Sequence, residues 1–306
     1  MENTIKELRD MLSDKMKIDG APGILFSGGL DSSVLAYLRP QSKAITVSLD
    51  SSGEDIGAAR AISEFLGMEL HHVDISAKEA LETVPEVIKI LRSFDPALPN
   101  DMAVYFGLRQ AKNMGITKMI AGDGSDELFA GYDYMRDISD LDAYIKRISR
   151  EMVFNSNIIG DYFGIEMVQP FIERDVVELA LSISRDWKIK KDKDNIHGKW
   201  ILRKAFEGAL PEKFIWQRKR PLEVGSGMAN MRRMLSEKIS QEELQKTQYK
   251  IKFFNREHLY YYKVYRSVIG DVPPPKDGEE RCVGCGTGIL PSSIHCRVCG
   301  YVYDWK

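Results

Sequence analysis

Seven adjacent residues carry the most specific chemistry in this 306-residue chain: Ser27-Gly28-Gly29-Leu30-Asp31-Ser32-Ser33. An apolar run, Gly23-Ile24-Leu25-Phe26, precedes them, and Val34-Leu35-Ala36-Tyr37-Leu38 follows. The pattern reads as strand, loop and helix. A glycine pair at such a turn lets main-chain N–H groups approach an anion closely. The helix N-terminus adds free donors and a partial positive charge, and three serine hydroxyls add more. Asp31 would repel a bare phosphate; it makes sense if it holds Mg²⁺ that bridges to the phosphates. A second glycine-rich stretch, Gly122-Asp123-Gly124-Ser125-Asp126-Glu127, follows another apolar run, Thr117–Ala121. It offers Asp126 as a partner for Asp31 around the same metal. Helix capping in a solvated loop is the bland alternative for its three acids.

The four cysteines all lie in the last 25 residues, as Cys282-x-x-Cys285, ten residues, then Cys296-x-x-Cys299. That spacing reads as a zinc ribbon with four thiolate ligands, closed and therefore structural, ahead of an iron–sulfur cluster or a disulfide pair. Glycines after Cys285 and Cys299 suit tight metal-binding knuckles. His295 reads as a neighbour of the site, and Tyr301, Tyr303 and Trp305 alternate onto one packed strand face. Four basic residues (Lys276, Arg281, Arg297, Lys306) balance four acidic ones (Asp277, Glu279, Glu280, Asp304) in this tail. A neutral ribbon is a poor phosphate binder, so nucleic acid is not the favoured partner, and docking on protein or folding back on the main domain is at least as good a reading.

The elements that must position these residues follow from periodicity. Residues 4–17 form an amphipathic helix. Strands are expected at Gly23–Phe26, Lys43–Leu49, Glu69–Ile75 and Thr117–Ala121, with helices following Ser33, near 56–66, near 77–92 and near 101–114. Alternating strands and helices predict a parallel sheet with helices on both faces. Both glycine-rich loops then share its carboxyl edge, where such sheets bind ligands. From about residue 133 the pattern is mostly helical, at 137–155, 174–184, 199–208 and 255–269. The charged run Lys188–Asp194 reads as a solvated loop. Three parts result: a main domain over 1–270, a stiff polar linker over 271–280 and the ribbon over 281–306. Hydrophobic residues make up 43% and charged residues 29%, with 43 basic against 45 acidic residues and a net charge of −2. That permits an ordinary core and argues against a surface built wholly for nucleic acid. No apolar run approaches the ~18 residues needed to span a bilayer, and the charged, amphipathic start is unlike a signal peptide. The expectation is a cytoplasmic protein.

The loop at residues 27–33 resembles the pyrophosphate loop of the ATP pyrophosphatases. The chain as a whole resembles the synthetase domain of the asparagine synthetase family, with β-lactam synthetases as relatives. Gly122–Tyr132 is similar to that family's second loop, and Glu166–Glu173 to its E-x-R-x-P-F-[LV]-D segment. Lys199–Phe206, Leu210-Pro211-Glu212, Arg218–Leu222 and Gly225 are similar to its C-terminal region. The resemblance covers roughly residues 4–270. It implies an adenine-nucleotide α-hydrolase-like, Rossmann-like fold and an AMP-forming amide ligase: a carboxylate, aspartate or a related acid, is adenylated and then attacked by ammonia or an amine. It implies that Ser27, Gly28, Gly29, Leu30, Asp31, Ser32, Ser33, Gly122, Gly124 and Ser125 cradle ATP and its pyrophosphate. Asp31 and Asp126 would hold Mg²⁺. Lys219 would be the catalytic lysine, Lys199 a second lysine facing the phosphates, and Asp123 a general base of short reach. Cations where charge develops are what phosphoryl chemistry requires.

Three departures matter. Whole asparagine synthetases carry an N-terminal glutaminase domain whose nucleophilic cysteine follows the initiator methionine, whereas Glu2 follows Met1 here. The expectation is a chain without that domain, using free ammonia, a separate glutaminase subunit or another amine; a homo-oligomer is compatible with it. Val168 stands where the family's segment has arginine, and Glu173 where it has aspartate, so the acceptor is open. An RNA-modifying enzyme that adenylates a tRNA base is the competing reading. It is disfavoured because no cysteine lies outside the tail.

Overall fold

The computed structural model describes residues 2–192 and 195–303. Its centre is a parallel sheet of β1 (Gly23–Leu25), β2 (Lys43–Leu49), β3 (Leu70–Ile75), β4 (Lys118–Ile120) and β5 (Glu166–Val168), in the order β3-β2-β1-β4-β5. β1 lies between β2 and β4, with Ile24 opposite both Ala44 and Ile120. Strands inside a parallel sheet are covered on both faces, and β2 is buried along almost its whole length. Side chains alternate between faces. Ile24, Ala44 and Ile120 enter one apolar cluster, while Ile45, Val47 and Met119 enter another.

The helices filling the first cluster are α1 (Glu2–Lys15), α2 (Leu30–Leu38), α3 (Asp55–Leu66) and several from the second half. The second cluster is filled by α4 (Ala77–Leu91) and α5 (Leu98–Asn113). The expected elements of the first half are present with ends shifted by a few residues, because terminal turns depend on capping. Gly67, at φ 65°, closes α3, and the Ser76 side chain caps α4 by accepting from the Glu79 N–H.

The second half departs from the expectation in three places. The single helix expected over 137–155 is instead α7 (Leu141–Glu151), after the short α6 (Ser125–Phe129) and a 3-10 turn; α8 (Asn155–Phe163) is separate. Met152–Phe154 break the run. Strand β5 was not expected: three residues give too little alternation to be seen, yet Met119 pairs with Met167 across β4 and β5. Downstream lie α9 (Arg174–Ser182), α10 (Arg185–Lys188), a hairpin of β6 (Lys190–Asp192) and β7 (Asn195–His197), and α11 (Trp200–Phe206). The charged run at 188–194 is thus no simple solvated loop. Lys188 is fully buried, with Asp142 3.7 Å away, and burial lowers its pKa to about 8. Lys193 and Asp194 lie outside the described residues, as does Trp305 of the aromatic alternation.

The tail folds back on the main domain. Its four cysteines belong to the second cluster, together with Phe94, Tyr262 and Tyr265. The Phe94 N–H donates to the Val298 carbonyl at 2.8 Å, and the Lys252 N–H to the Gly284 carbonyl at 2.8 Å. Among the described residues, no helix is long and apolar enough to cross a membrane.

Candidate active site

The chain order reverses between β1 and β4, so the loops leaving these two strands flank a crevice at the carboxyl edge of the sheet,. In the first loop Gly28 has φ +70°, and a Cβ there would lie 2.6 Å from the Ala59 nitrogen. Glycine is therefore required for both conformation and space. Ser27 Oγ accepts from the Gly29 N–H at 3.2 Å and lies 3.3 Å from Ser32 Oγ. Asp31 sits in the first turn of α2.

The second loop reaches the first through side chains. Ser125 Oγ donates to Asp31 Oδ1 at 2.7 Å. Lys199, almost completely buried, lies between the two acids: its Nζ is 2.6 Å from Asp31 Oδ2 and 2.7 Å from Asp126 Oδ1. Lys219 Nζ is 2.5 Å from Asp126 Oδ2. Burial alone would raise the Asp126 pKa, but the two ammonium groups hold it below the usual carboxylate range. Burial would lower that of Lys219, and Asp126 and Asp31 instead raise it.

Each lysine is delivered by local structure. Lys199 is a non-glycine residue at φ +56° immediately before α11, with its N–H bonded to the Phe129 carbonyl at 2.9 Å. Such strain persists only where surrounding contacts enforce it, and it concentrates at functional sites. Gly131 leaves the room: a Cβ there would collide with Asp126 and with the Lys199 side chain. The segment carrying Lys219 is pinned by buried Arg203, whose guanidinium donates to the Ile215 and Gln217 carbonyls. It is pinned also by Gln217, whose Nε2 donates to the Gly28 carbonyl at 2.9 Å. Ser27, Gly29, Asp31, Lys199, Gln217 and Lys219 thereby line one pocket. A second, more apolar pocket adjoins it between Phe26, Ile45, Val47, Gly122 and Leu222.

Asp123 faces that second pocket and is held by Ser156 Oγ at 2.6 Å and Gln169 Nε2 at 2.8 Å. Burial raises its pKa, and the two hydrogen bonds partly oppose this. Two serines expected as direct ligands take other positions. Ser33 is fully buried and donates to the Gly29 carbonyl at 2.6 Å, so it braces the turn. Ser125 is also fully buried and spends its hydroxyl on Asp31. Sequence reasoning did not single out Gln217, Gln169, Ser156 or Arg203. They are neutral or isolated residues whose partners are distant in the chain, and no local pattern marks them.

The residues fit a divalent cation. Lys199 reaches Asp126 Oδ1 but not in a hydrogen-bonding direction, so this buried oxygen lacks a directed donor. Together with Asp31 it offers hard oxygen ligands of the kind Mg²⁺ prefers. The cysteines fit a tetrahedral metal equally well. Cys282 and Cys299 sulfurs are 3.8 Å apart, as are those of Cys285 and Cys296. That is the edge of a tetrahedron whose metal–sulfur bonds are ~2.3 Å. All four sulfurs lie within 4.8 Å of one another. Two matching knuckles hold them, with Gly286 N–H bonded to the Cys282 carbonyl and Gly300 N–H to the Cys296 carbonyl, each at 2.8 Å. His295 pairs with Asp95 at 2.8 Å and stays out of the cluster.

Comparison with known proteins agrees with this geometry. The family model described as asparagine synthase matches residues 4–157 and 144–260. An asparagine synthetase (glutamine-hydrolyzing) of Sandersonia aurantiaca is 28% identical over 72% of this chain and 47% of its own length. Asparagine synthetase B (glutamine-hydrolyzing) of Escherichia coli K12 is 25% identical over 94% of this chain and 57% of its own. The chain thus spans about half the length of these curated relatives. Among solved structures, the U34-tRNA thiolase NcsA of Methanococcus maripaludis aligns over 87% of this chain and 79% of its own, at 17% identity and a TM-score of 0.38. That likeness is too slight to argue from.

Proposed function

The chain belongs to the asparagine synthase family, and from that premise we propose that it is an AMP-forming, ATP-dependent amide ligase. One observation carries the reading: two acids and two lysines from four distant segments form one chain of ion pairs beside the glycine turn, with Asp31, Lys199 and Lys219 lining the pocket there. In the proposed reaction the acceptor carboxylate attacks the α-phosphorus of ATP. The bond to the oxygen between the α- and β-phosphates breaks, and pyrophosphate leaves. The main-chain donors of residues 27–29, Ser32, Lys199 and Lys219 receive the charge that builds on it. Mg²⁺ held by Asp31 and Asp126 would supply further positive charge there. The adjoining apolar pocket suits the purine. An amine then attacks the acyl carbon, gives its proton to Asp123, and AMP departs. Burial raises the pKa of Asp123, the direction that makes a carboxylate a better proton acceptor,.

The tail cluster is proposed as a structural zinc site, since four thiolates leave no open coordination position. The tRNA reading has no comparable support, as all four cysteines are gathered in that cluster.

The test is nucleotide analysis with a panel of carboxylates, with ammonium or hydroxylamine as the amine. AMP and pyrophosphate in equal amounts, dependent on the carboxylate, are expected. ADP and phosphate as products, or pyrophosphate release only with tRNA, would overturn the reading.

A further inference from the structure

Lys219 and Leu222 sit on one strap, residues 217–226, beside the carboxyl edge of the sheet. Lys219 reaches Asp126, and Leu222 lines both the anion pocket and the adjoining apolar pocket. Where this strap lies therefore sets the proposed catalytic lysine and the wall of the proposed purine site together. Its first end is pinned by Arg203 and by the bond from Gln217 to the Gly28 carbonyl. Its last end is pinned by the Ser226 carbonyl, which accepts from the Leu49 N–H at 2.9 Å. The middle is held from the helical half. After α11 the chain forms α12 (Glu212–Ile215), α13 (Leu222–Gly225), α14 (Asn230–Ser236), α15 (Gln241–Gln245) and α16 (Arg256–Val268). Helix α13 is the turn of the strap that follows Lys219.

Glu223 of α13 is gripped twice. Its N–H donates to Asn100 Oδ1 on α5 at 2.9 Å. Its carboxylate accepts from Arg232 Nη2 on α14 at 2.5 Å. The other arm of the same guanidinium, Nη1, reaches the two oxygens of Glu257 on α16 at 3.3 and 3.2 Å. Glu257 is almost fully buried, and the Tyr261 hydroxyl donates to its Oε1 at 2.7 Å. One arginine thus joins three helices, with a carboxylate on each arm. Burial raises the Glu257 pKa although Tyr261 and Arg232 oppose it. Ion pairs buried in this way add little net stability, since well-packed apolar residues of similar volume often do as well. What such a pair can supply is a fixed register, and a rigid planar fork suits that task better than the flexible point charge of a lysine.

We propose that Arg232 is a positioning residue: rooted on Glu257, it holds α13 through Glu223 and so fixes Lys219 and Leu222 for the transition state. The inference rests on the ligase reading and adds to it a residue that lines neither the anion pocket nor the apolar pocket. Lys219 is close to Glu223 in the chain, and a displacement of about 1 Å at a reacting group can cost about 100-fold in rate.

The test uses the full chain, with pyrophosphate release measured at saturating ammonium and the acceptor that wild type uses best. Glu223→Ala cuts the link while leaving Arg232 paired with Glu257 and the backbone bond to Asn100 in place. It should lower kcat about 10- to 100-fold, with KM for ATP changed less than about threefold. Its melting temperature should stay within about 3 °C of wild type. Arg232→Met should lower kcat to the same degree and lose stability as well, because it strands two acids. Adding Glu257→Gln removes the buried stranded charge, so stability should return while kcat stays low. Glu223→Ala and Arg232→Met together should be no slower than Arg232→Met alone, since both break one link. Arg232→Lys, which keeps the charge without the fork, should recover part of kcat. Glu223→Ala decides the question even where Arg232→Met does not fold. Wild-type kcat in Glu223→Ala, multiplied losses in the double variant, or recovery of kcat along with stability in Arg232→Met/Glu257→Gln would overturn the proposal while leaving the ligase intact. Absence of pyrophosphate release from wild type with every acid would instead remove the ligase reading, and this inference with it.

Discussion

Lys199 and Lys219 touch the same carboxylate but differ in what their removal exposes. Lys219 is about one-third exposed and shares Asp126 with Lys199, so its loss leaves Asp126 still paired. Lys219→Ala should therefore lower kcat by about 10²- to 10⁴-fold with a melting temperature close to wild type, read by AMP formation and calorimetry. Among the described residues, Lys199 alone pairs with both Asp31 and Asp126. Removing one partner of such a buried set costs about 3–5 kcal/mol. Lys199→Ala should lose activity and stability together, and Mg²⁺ should raise its melting temperature more than it raises that of wild type. An equal response of both proteins to Mg²⁺ would argue against a metal between the two acids. Both lysines were singled out in the sequence only through its resemblance to the asparagine synthetase family. That one bridges the acids and the other caps the pair was not legible, because it depends on where Gly131 and Arg203 leave space.

At the scale of elements, the joint between α5 and α8 decides a pH response. Burial raises the pKa of Asp101 to about 7 despite its bonds from Asn155. A carboxyl whose folded pKa lies above its unfolded value binds more protons in the native state between those two values. Stability contributed by this group is therefore greatest below about pH 4 and falls as pH rises toward 7. The full effect is at most about 4 kcal/mol. Asp101→Asn lacks the titration, so its stability relative to wild type should improve steadily from pH 4 to pH 8. Urea melts at several pH values would show this, and parallel curves would refute it. Periodicity located α5 to within a few residues, whereas it ran α7 on to residue 155 and did not find α8. Their junction is set by Asn155 and Ser156 reaching across to Asp101 and Asp123, partners that no local window contains.

For the whole molecule, the cysteine cluster and the second apolar cluster are one body. Metal binding at four thiolates is coupled to folding, so its energy should stabilise the main domain through the bonds at Phe94 and Gly284. Cys296→Ser, or thiol-directed metal removal, should lower the melting temperature by more than about 5 °C. It should also expose the Phe94 amide to hydrogen exchange. A tail that unfolds alone, with Phe94 still protected, would show that the module is independent.

The sequence by itself determined the two glycine-rich loops, the parallel alternation that puts them on one edge, and the four-cysteine module. Each of these is written in neighbouring residues, because turns, caps and knuckles are governed by hydrogen bonds and torsions a few positions apart. Only the tertiary structure decided that β5 completes the sheet, that Lys188 is buried, and that Ser33 and Ser125 brace the loops. Those outcomes depend on how the helices of both apolar clusters pack, and packing joins residues whose separation along the chain carries no pattern.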